Sequence, residues 1–350
     1  MAMKRIIDSH LHITGWGEED FISYFDKYVE EQNLRAINLC SIPHGVSNIC
    51  NNIMMGFYKI ARPTAYVHAG VDLLEIPLDN MPKGMNAVDQ YKELMEIGFD
   101  GLKMLEGKPT IHKKIGKNLN HPELDKLYAE LEKDGTHLLM HVNDPDEFWD
   151  KDKAPGWAVD NGWVYLDGTF ASYEEIHRQT IKILEDHPNI HLTLAHFFFC
   201  SKEPEILERL FAKYPNFCVD LTAGGEMYVS FAKNYEYYKE FFNKYSDRLI
   251  FGTDRSYVDD TEYADWLFNM VTTFLDTDKT VKCFDDLDLK GLGLSQEKRD
   301  NLLFGNFVRR VGEAPKPINK EKLKAYIEKY SFALTDEDKK RIKPLMEKYL

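Results

Sequence analysis

The sequence predicts an α/β protein, a (β/α)8 TIM barrel with a C-terminal helical extension. Three observations lead to this prediction. Eight short apolar runs of strand length recur along the chain, amphipathic segments of helical length separate most of them, and no glycine-rich phosphate-binding turn follows any run. Strands that alternate with helices build a parallel sheet, and eight such units close into a barrel. A doubly wound open sheet is the competing architecture, which the missing phosphate turn disfavours.

The eight predicted strands are short and are bounded by turn residues or helical stretches. In chain order they are RIIDSHLHI (5–13), LRAINLCSI (34–42), TAYVHAGVD (64–72), FDGLKML (99–105), THLLMHV (136–142), IHLTLAHF (190–197), FCVDLTA (217–223) and RLIFGTD (248–254). The clearest helices between them repeat apolar residues at three and four positions and carry Gly, Asn or Pro at their ends. They are NAVDQYKELMEIG (86–98), HPELDKLYAELEKDG (121–135), SYEEIHRQTIKILEDHP (172–188) and EPEILERLFAKYP (203–215).

The chain divides into a barrel over residues 1–312 and a C-terminal helical extension over residues 313–350 that we expect to pack on the outside of the barrel. Thr335 is the expected N-cap of a helix in this extension, because the acidic residues that follow it would complement the helix dipole.

The composition is that of an ordinary globular protein. The 350 residues are 43% hydrophobic and carry a formal net charge of -14, which argues against nucleic acid and anionic membranes as partners. No apolar run approaches the roughly 20 residues of a membrane span, and no signal-like stretch opens the chain. The five scattered cysteines indicate neither a disulfide framework nor a thiolate zinc site. We therefore expect a cytoplasmic protein with a small-molecule substrate, and self-association into a homo-oligomer stays open.

Polar residues are concentrated at the carboxyl ends of the predicted strands, where barrels of this kind place their chemistry. They are His10 and His12 in the first strand, Lys103 in the fourth, His141 in the fifth, His196 in the sixth and Asp254 in the eighth. Residues two apart share one face of an extended chain, so His10 and His12 could grip one cation. Four imidazoles and one carboxylate suit zinc, manganese or iron. The alternative is that these histidines are hydrogen-bonded core residues.

These motifs resemble the metal-dependent amidohydrolase superfamily, specifically its amidohydrolase-2 branch, over nearly all of residues 4–312. The resemblance rests on DSHLHI, GLKML, LLMHV, LTLAHF, IFGTD and the closing GLSQEKRDNLLFGNFVRRVG. It implies that His10 and His12 bind the more buried metal and that His141 and His196 face a second metal or the substrate. It further implies that Asp254 binds metal while taking a proton from the attacking water.

Lys103 decides how many metals the resemblance implies. In two-metal members a lysine on the fourth strand is carboxylated and bridges the metals, which requires an amine with a depressed pKa. If Lys103 stays an ammonium, one metal and a lysine paired with a substrate carboxylate are expected; a Schiff-base lysine is a third option. Glu106 is a second choice as the bridging ligand and a candidate substrate contact; the alternative is an ordinary loop carboxylate. It would face inward only if the strand ends before it.

Tryptophans indicate an aromatic cover over the site. Four of the five lie after the first and fifth predicted strands: Trp16, Trp149, Trp157 and Trp163. The segment 143–170 is too long for an ordinary connection and is expected to form a lid, although its rings could simply pack on the barrel rim. Arg255 and Lys108 are candidates to receive an anionic substrate group, and Tyr228 is a further candidate contact.

The expected function is hydrolysis of an amide, lactone or ester of a small carboxylate-bearing or aromatic metabolite by metal-activated water. Nonoxidative decarboxylation by the same kind of metal site is the alternative, and Lys103 favours hydrolysis because the decarboxylases do not need a bridging lysine. A noncatalytic metal-binding protein is a third reading that the filled set of ligand positions disfavours.

Overall fold

The protein, seen in a computed structural model, is built around a nine-stranded parallel sheet. The structure describes residues 5–13, 21–43, 46–222, 224–256 and 261–350. The strands of this sheet are β1 (Ile7–His12), β2 (Ala36–Cys40), β3 (Tyr66–Ala69), β4 (Gly101–Gly107), β5 (His137–Val142), β6 (Leu192–Leu194), β7 (Cys218–Asp220), β8 (Leu249–Ile250) and β9 (Arg255–Ser256). Each predicted run contains the corresponding strand except the fourth, because β4 continues two residues beyond the predicted end at Leu105, and the last run is followed directly by β9.

The sheet closes on itself because the eighth barrel strand is split into two short pieces. β8 pairs with β7, while β9 pairs with β1 at the other end of the strand order. Between the two pieces, the Ser9 amide donates to the Phe251 carbonyl at 3.3 Å and the Asp254 amide donates to the His10 carbonyl at 2.9 Å. The first and last strands are therefore joined, which confirms the predicted barrel and excludes an open sheet.

Helices surround the sheet, and most of them connect consecutive strands. They are α1 (Phe21–Gln32), α2 (Asn48–Ala61), α3 (Ala87–Ile97), α4 (Pro109–Ile115), α5 (Pro122–Asp134), α6 (Gly156–Asp160), α7 (Tyr173–Asp186), α8 (Glu205–Lys213), α9 (Gly225–Lys233), α10 (Tyr235–Lys244), α11 (Thr261–Asp276), α12 (Gln296–Asp300), α13 (Asn306–Val311), α14 (Lys320–Lys329) and α15 (Asp336–Tyr349). A π-helical stretch, Asn301–Gly305, joins α12 to α13. Among these helices, none in the described part of the chain has the length and apolar character needed to cross a bilayer.

The helices begin and end where the sequence supplies capping groups. Asn86 accepts from the Asp89 amide at the start of α3, and Gly98, with φ of 108°, ends that helix in the left-handed conformation that glycine adopts most easily. Thr335 caps α15 and forms a reciprocal capping box with Asp338, which confirms the predicted N-cap.

The C-terminal helices lie against the outside of the barrel. α14 contacts α2 and α3, and α15 contacts α2. The side-chain amide of Asn52 donates to the Tyr326 hydroxyl at 3.0 Å. The backbone amide of Lys316 donates to the Asp100 carboxylate at 2.8 Å. That carboxylate also pairs with Lys59, which is buried. The placement matches the expected extension, and its boundary at residue 313 stays a prediction.

A chain of hydrogen bonds crosses the barrel interior through four strands. His68 donates from Nδ1 to Asn38 Oδ1 at 2.8 Å, His137 Nδ1 lies 2.7 Å from His68 Nε2, and Thr193 Oγ1 lies 2.8 Å from His137 Nε2. Gly101 on β4 leaves the space for this contact, since an added Cβ would lie 2.5 Å from His68 Nε2. All the partners are satisfied when both imidazoles are neutral.

Two insertions stand at the end of the barrel where the strands terminate. After β5, the chain forms a single-turn 3-10 helix, Asp146–Trp149, and then α6. After α11, the antiparallel hairpin of β10 (Thr280–Lys282) and β11 (Asp288–Lys290) carries Phe284 at its tip. Both insertions contribute to the cavity described next.

Candidate metal centre

The histidine pair of β1 directs two imidazole nitrogens toward one point. His10 Nδ1 lies 2.8 Å from Asp220 Oδ2, and His12 Nδ1 lies 2.7 Å from the Cys40 carbonyl. Because both partners only accept hydrogen bonds, each imidazole carries its proton on Nδ1 and has a lone pair on Nε2. Outer partners of this kind fix the tautomer of metal-binding histidines in proteins.

Asp254 faces the same two nitrogens. Its Oδ1 lies 3.0 Å from His12 Nε2 and 3.6 Å from His10 Nε2. The ligand atoms of His10, His12 and Asp254 all lie within 4.8 Å of one another. With φ of 61°, Asp254 adopts a left-handed conformation in the gap between β8 and β9. This backbone turn frees its side chain from the strand and aims it at the histidines.

His196 and His141 bring two more nitrogens to the same region. His196 Nε2 lies 3.1 Å from His141 Nδ1 and 3.8 Å from Asp254 Oδ2. His141 donates from Nε2 to the Asn143 carbonyl at 2.7 Å, and His196 Nδ1 lies beside the hydroxyl and the carbonyl of Thr222. That hydroxyl donates to Asp220, so it accepts from His196. The two nitrogens that face each other are therefore both acceptors.

The ring nitrogens and carboxylate oxygens that face one another here are mostly hydrogen-bond acceptors. An excess of acceptors with no donor between them is the arrangement that a bound cation would satisfy. Two close contacts, His12 to Asp254 and His141 to His196, each join two acceptor atoms, which repel unless a positive charge lies between them. His10 Nε2 is buried and has no hydrogen-bond partner among the described residues. Nitrogen and carboxylate ligands in this combination suit a divalent metal such as zinc. The residues present fit a metal ion.

The pKa values of the candidate ligands agree with neutral imidazoles and an ionised carboxylate at pH 7. Burial lowers the pKa of His10, His141 and His196 to about 4, so these imidazoles are neutral ligands at pH 7. Burial would by itself raise the pKa of Asp254, but positive charge at this centre, on the imidazoles of His10, His12 and His196 or on an ion bound among them, holds the pKa well below its ordinary value. The carboxylate of Asp254 is therefore ionised while its side chain stays 34% exposed.

Lys103 lies at the bottom of the same centre. Its amine is buried and has no hydrogen-bond partner among the described residues, and burial lowers its pKa. The charge of Lys103 also lowers the pKa of His10, His141 and His196, which places the amine close to all three. The six predicted residues at the strand ends thus converge in the structure.

Glu106 is buried but lies outside the group of His10, His12 and Asp254 that can share one ion. β4 continues to Gly107, beyond the predicted end at Leu105, with a register shift relative to β5 between Met104 and Gly107. One carboxylate oxygen of Glu106 has no partner among the described residues, and burial raises the pKa of this group to about 7. Its role as a ligand or a substrate contact stays a prediction.

A left-handed turn follows β6 and carries His196. The four residues His196, Phe197, Phe198 and Phe199 have φ values of 56°, 55°, 57° and 52°. Left-handed conformations are unfavourable for L-residues by about 1–2 kcal/mol each, so the surrounding packing must hold this turn. Phe199 stacks on the His196 ring with centroids 5.2 Å apart, and Phe197 is buried among aromatic side chains.

A cavity of about 950 Å³ opens in front of the metal centre. His141, His196 and Asp254 form its floor. Trp157 and Trp163, from the segment after β5, contribute aromatic surface as expected, and Trp157 is 55% exposed. The other aromatic residues of the lining are Phe148, Phe199, Tyr263 and Phe284. The segment 143–170 therefore forms one wall of the cavity, while Trp16 lies outside the described residues.

The structure places two predicted substrate contacts away from the cavity lining. Tyr228 is fully buried, and its hydroxyl donates to the Leu221 carbonyl at 2.7 Å. Arg255 is also buried; it donates to the Tyr24 hydroxyl and pairs with Asp265 at 3.0 Å. Both expectations followed from proximity in sequence to strand ends. Arg255 instead points toward α1 and α11, and the Tyr228 hydroxyl points from α9 toward the chain that follows β7.

Lys108 does line the cavity, but a carboxylate already neutralises it. Its amine binds both oxygens of Asp144, at 2.7 and 2.8 Å, and lies over the Trp163 ring, 4.1 Å from the centroid. The Tyr165 hydroxyl also donates to Asp144. Lys108 is thus part of a fixed network.

Sequence reasoning missed several residues that hold the ligands in place. Asp220 binds His10 and also accepts from the His196 amide at 2.8 Å, and Thr222 binds His196. Both stand at the end of the seventh predicted strand, so the rule that selected the other residues could have found them. Glu226, which lines the cavity from α9, had no comparable signal because its position depends on how that helix packs.

Comparisons with known proteins agree with this geometry. A family model described as amidohydrolase matches residues 77–306, a range that contains Lys103, His141, His196 and Asp254. A search of curated proteins gives no significant match.

Two solved structures show the fold. A Staphylococcus aureus protein described as an amidohydrolase aligns with 87% of this chain and 99% of its own at 14% identity, with a TM-score of 0.54. An Acinetobacter baumannii protein described as a probable 2-pyrone-4,6-dicarboxylic acid hydrolase aligns with 88% of this chain and 99% of its own at 14% identity, with a TM-score of 0.51. Because the family match covers well over half of the residues, the chain belongs to the amidohydrolase family.

Proposed function

We propose that this enzyme is a metal-dependent hydrolase that uses metal-activated water on an amide, lactone or ester of a small aromatic or carboxylate-bearing metabolite. The convergence of acceptor atoms from His10, His12 and Asp254, with no donor among the described residues between them, carries the proposal. Zinc is the metal we expect, because three-ligand sites of nitrogen and carboxylate that face an open cavity are typical of catalytic zinc. The five cysteines are all free, which favours the reducing cytoplasm as its location.

Different residues would bind the metal, take the proton from water and orient the ligands. His10, His12 and Asp254 would hold one ion, and His141 and His196 would face a second ion or the substrate. When bound, a divalent ion acts as a Lewis acid and makes water acidic enough to ionise near neutral pH. Asp254 is ionised and partly exposed to the cavity, so it can take the proton from the attacking water. Asp220 keeps His10 in the ligand tautomer.

Lys103 would settle the number of ions. We propose that it becomes carboxylated, because a buried amine with a lowered pKa and no partner can react with CO2 and would then offer an anionic group to two ions. An uncarboxylated Lys103 would instead pair with a substrate carboxylate beside a single ion. Nonoxidative decarboxylation is the alternative chemistry for that single-ion site.

The test measures metal content and metal-dependent turnover together. The purified enzyme is analysed by inductively coupled plasma mass spectrometry and is assayed on 4-nitrophenyl acetate, 4-nitroacetanilide and dihydrocoumarin. The lactone is included because a structure with this fold is described as a pyrone hydrolase. We expect hydrolysis of at least one substrate, loss of it on treatment with dipicolinate and recovery with Zn²⁺. Failure to retain any metal before or after reconstitution would contradict the proposal, and CO2 release from aromatic acids without hydrolysis would favour the alternative.

A further inference from the structure

Glu226 stands out in the cavity because one oxygen of its carboxyl group has no hydrogen-bond partner among the described residues. It lies in the first turn of α9 and lines the cavity together with Val229, Ser230 and Lys233, which follow it on the same face of the helix. One of its carboxylate oxygens, Oε1, is buried and has no hydrogen-bond partner among the described residues. A buried polar group of this kind costs free energy in the free protein, so a ligand that satisfies it gains affinity.

The neighbouring charges favour a cation at this position. Burial is the main cause that raises the pKa of Glu226 to about 8; the carboxylates of Glu147 and Asp144 act in the same direction, and Lys202 opposes them. At neutral pH the free side chain is therefore largely protonated, and a bound cation would favour its ionised form. Lys202 is itself paired with Glu147 and with Asp146 at 2.6 Å, whereas Lys233 adds a positive charge on the same face of α9. The whole lining contains five carboxyl groups and four lysines, so an entering cation meets slightly more acidic than basic side chains.

The aromatic lining supports the same conclusion. Trp157 is 55% exposed, and Tyr263, whose ring packs against Trp266, is 49% exposed, so both side chains contribute aromatic surface to the cavity. Phe284 packs against Gly225, the residue before Glu226, at 3.2 Å from the position an added Cβ would take. Aromatic faces attract ammonium and guanidinium groups through their quadrupoles, and a carboxylate among them adds a direct ion pair.

We propose that Glu226 and the surrounding aromatic rings bind a cationic nitrogen group, an ammonium or guanidinium, at the end of the substrate that does not react. This inference rests on the proposed function, because it assigns the distal end of a substrate whose other end reaches the metal centre. The two residues that the sequence offered for binding an anionic substrate group are not available for it: Lys108 is neutralised by Asp144, and Arg255 lies outside the cavity lining. This favours a cationic over an anionic distal group.

The test compares phenethylguanidine with phenethylurea, which have similar shape and differ in charge, and with 3-phenylpropionate. Binding to the metal-loaded enzyme is measured by isothermal titration calorimetry. We expect phenethylguanidine to bind at least tenfold more tightly than phenethylurea. In Glu226→Gln, the affinity for phenethylguanidine should fall at least tenfold, while the affinity for phenethylurea should change less than twofold. Glu236→Gln, an exposed position on α10, should behave as the wild type.

Several outcomes would overturn the inference: equal binding of the guanidine and the urea, tightest binding of 3-phenylpropionate, no binding of any probe, or an unchanged guanidine affinity in Glu226→Gln. Metal content and hydrolysis are measured on the same preparations. If metal-dependent hydrolysis persists without cation preference, this inference alone fails. If the protein binds no metal, the proposed function fails.

Discussion

The two candidate histidine ligands of β1 are each held by a second residue, whereas the candidate ligand Asp254 is not. His10 is fixed by Asp220 and His12 by the Cys40 carbonyl, while Asp254, among the described residues, is positioned by its backbone turn and by its contacts with the imidazoles. Substitutions of Asp254 therefore affect the chemistry without removing any packing contact from the core.

We predict that Asp254→Asn lowers kcat by about 10²- to 10⁴-fold, because an amide cannot take the proton from water. The free energy of unfolding should change by less than about 1 kcal/mol, since the side chain is partly exposed. Steady-state kinetics and urea denaturation measure the two effects. Asp286→Asn, exposed on the hairpin, serves as the control. A kcat within tenfold of the wild type would show that another group accepts the proton.

The substitution Lys103→Met tests carboxylation. If a carboxylated Lys103 joins two ions, the metal content should fall from about two to about one or fewer per chain, together with most of the activity. Metal analysis in the presence and absence of added bicarbonate measures this. Two ions retained by Lys103→Met would refute a bridging role for this residue.

At the scale of single residues, the sequence contains part of the site. The six candidate residues could be selected because each lies in or directly after a recognisable strand, and the strands of a barrel bring such positions together: His10, His12, Lys103, His141, His196 and Asp254. Tyr228 and Arg255 also follow strands, but the chain turns there, so distance along the sequence does not determine where they point. The left-handed turn at His196 could not be predicted, because phenylalanine has no intrinsic preference for that conformation.

At the scale of elements, the barrel and its C-terminal helices are connected through a buried ion pair. Lys59 of α2 pairs with Asp100, and its amine also donates to the Gly98 carbonyl at 2.9 Å. Asp100 in turn accepts from the backbone amides of Val67 and Lys316. The pair therefore links a helix, a strand and the start of the C-terminal segment.

We predict that Lys59→Met lowers the free energy of unfolding by about 3 kcal/mol, because it leaves the buried Asp100 carboxylate without its cation. The double substitution Lys59→Met with Asp100→Asn should recover part of that loss, since it removes the unpaired charge. Urea denaturation measures both. The exposed pair of Lys92 and Glu130 provides the matched control, and Lys92→Met should cost less than about 1 kcal/mol. Equal losses from Lys59→Met and Lys92→Met would contradict the assignment.

The order of strands and helices was predictable, while the breaks and extensions within individual strands were not. Apolar periodicity located every barrel strand, since parallel strands are buried on both faces and read as continuous apolar runs. The split between β8 and β9 depends on Asp254 leaving the strand to face the histidines, which no local pattern in RLIFGTD reveals. The extension of β4 to Gly107 likewise reflects pairing with β5.

At the scale of the whole molecule, buried histidines make stability depend on pH. Burial lowers the pKa of His137 to about 3 and holds the pKa of His68 well below its ordinary value of 6.5, so both are neutral in the folded barrel. The unfolded chain binds protons at these histidines as the pH falls below about 6.5, whereas the folded chain does not. Stability is therefore fully present above that pH and is lost progressively between about 6.5 and 3.

We predict that His137→Gln reduces this pH dependence by as much as about 1.4 kcal/mol per pH unit between pH 6 and 4, because one depressed group is removed. Urea denaturation of the metal-free protein at several pH values measures the slope. An unchanged slope in His137→Gln would mean that other groups dominate the acid sensitivity.

The place where the barrel closes is also the place where its ligands meet. His10 and His12 belong to β1, and Asp254 lies between β8 and β9, the two pieces of the last barrel strand. A bound ion would therefore connect the first and last strands where the sheet closes. Backbone hydrogen bonds already join these two strands, together with side-chain hydrogen bonds from Ser9 to Phe251 and between Asp8 and Thr253. A bound metal ion would add a further link between the first and last strands, and the same ion would serve both stability and chemistry.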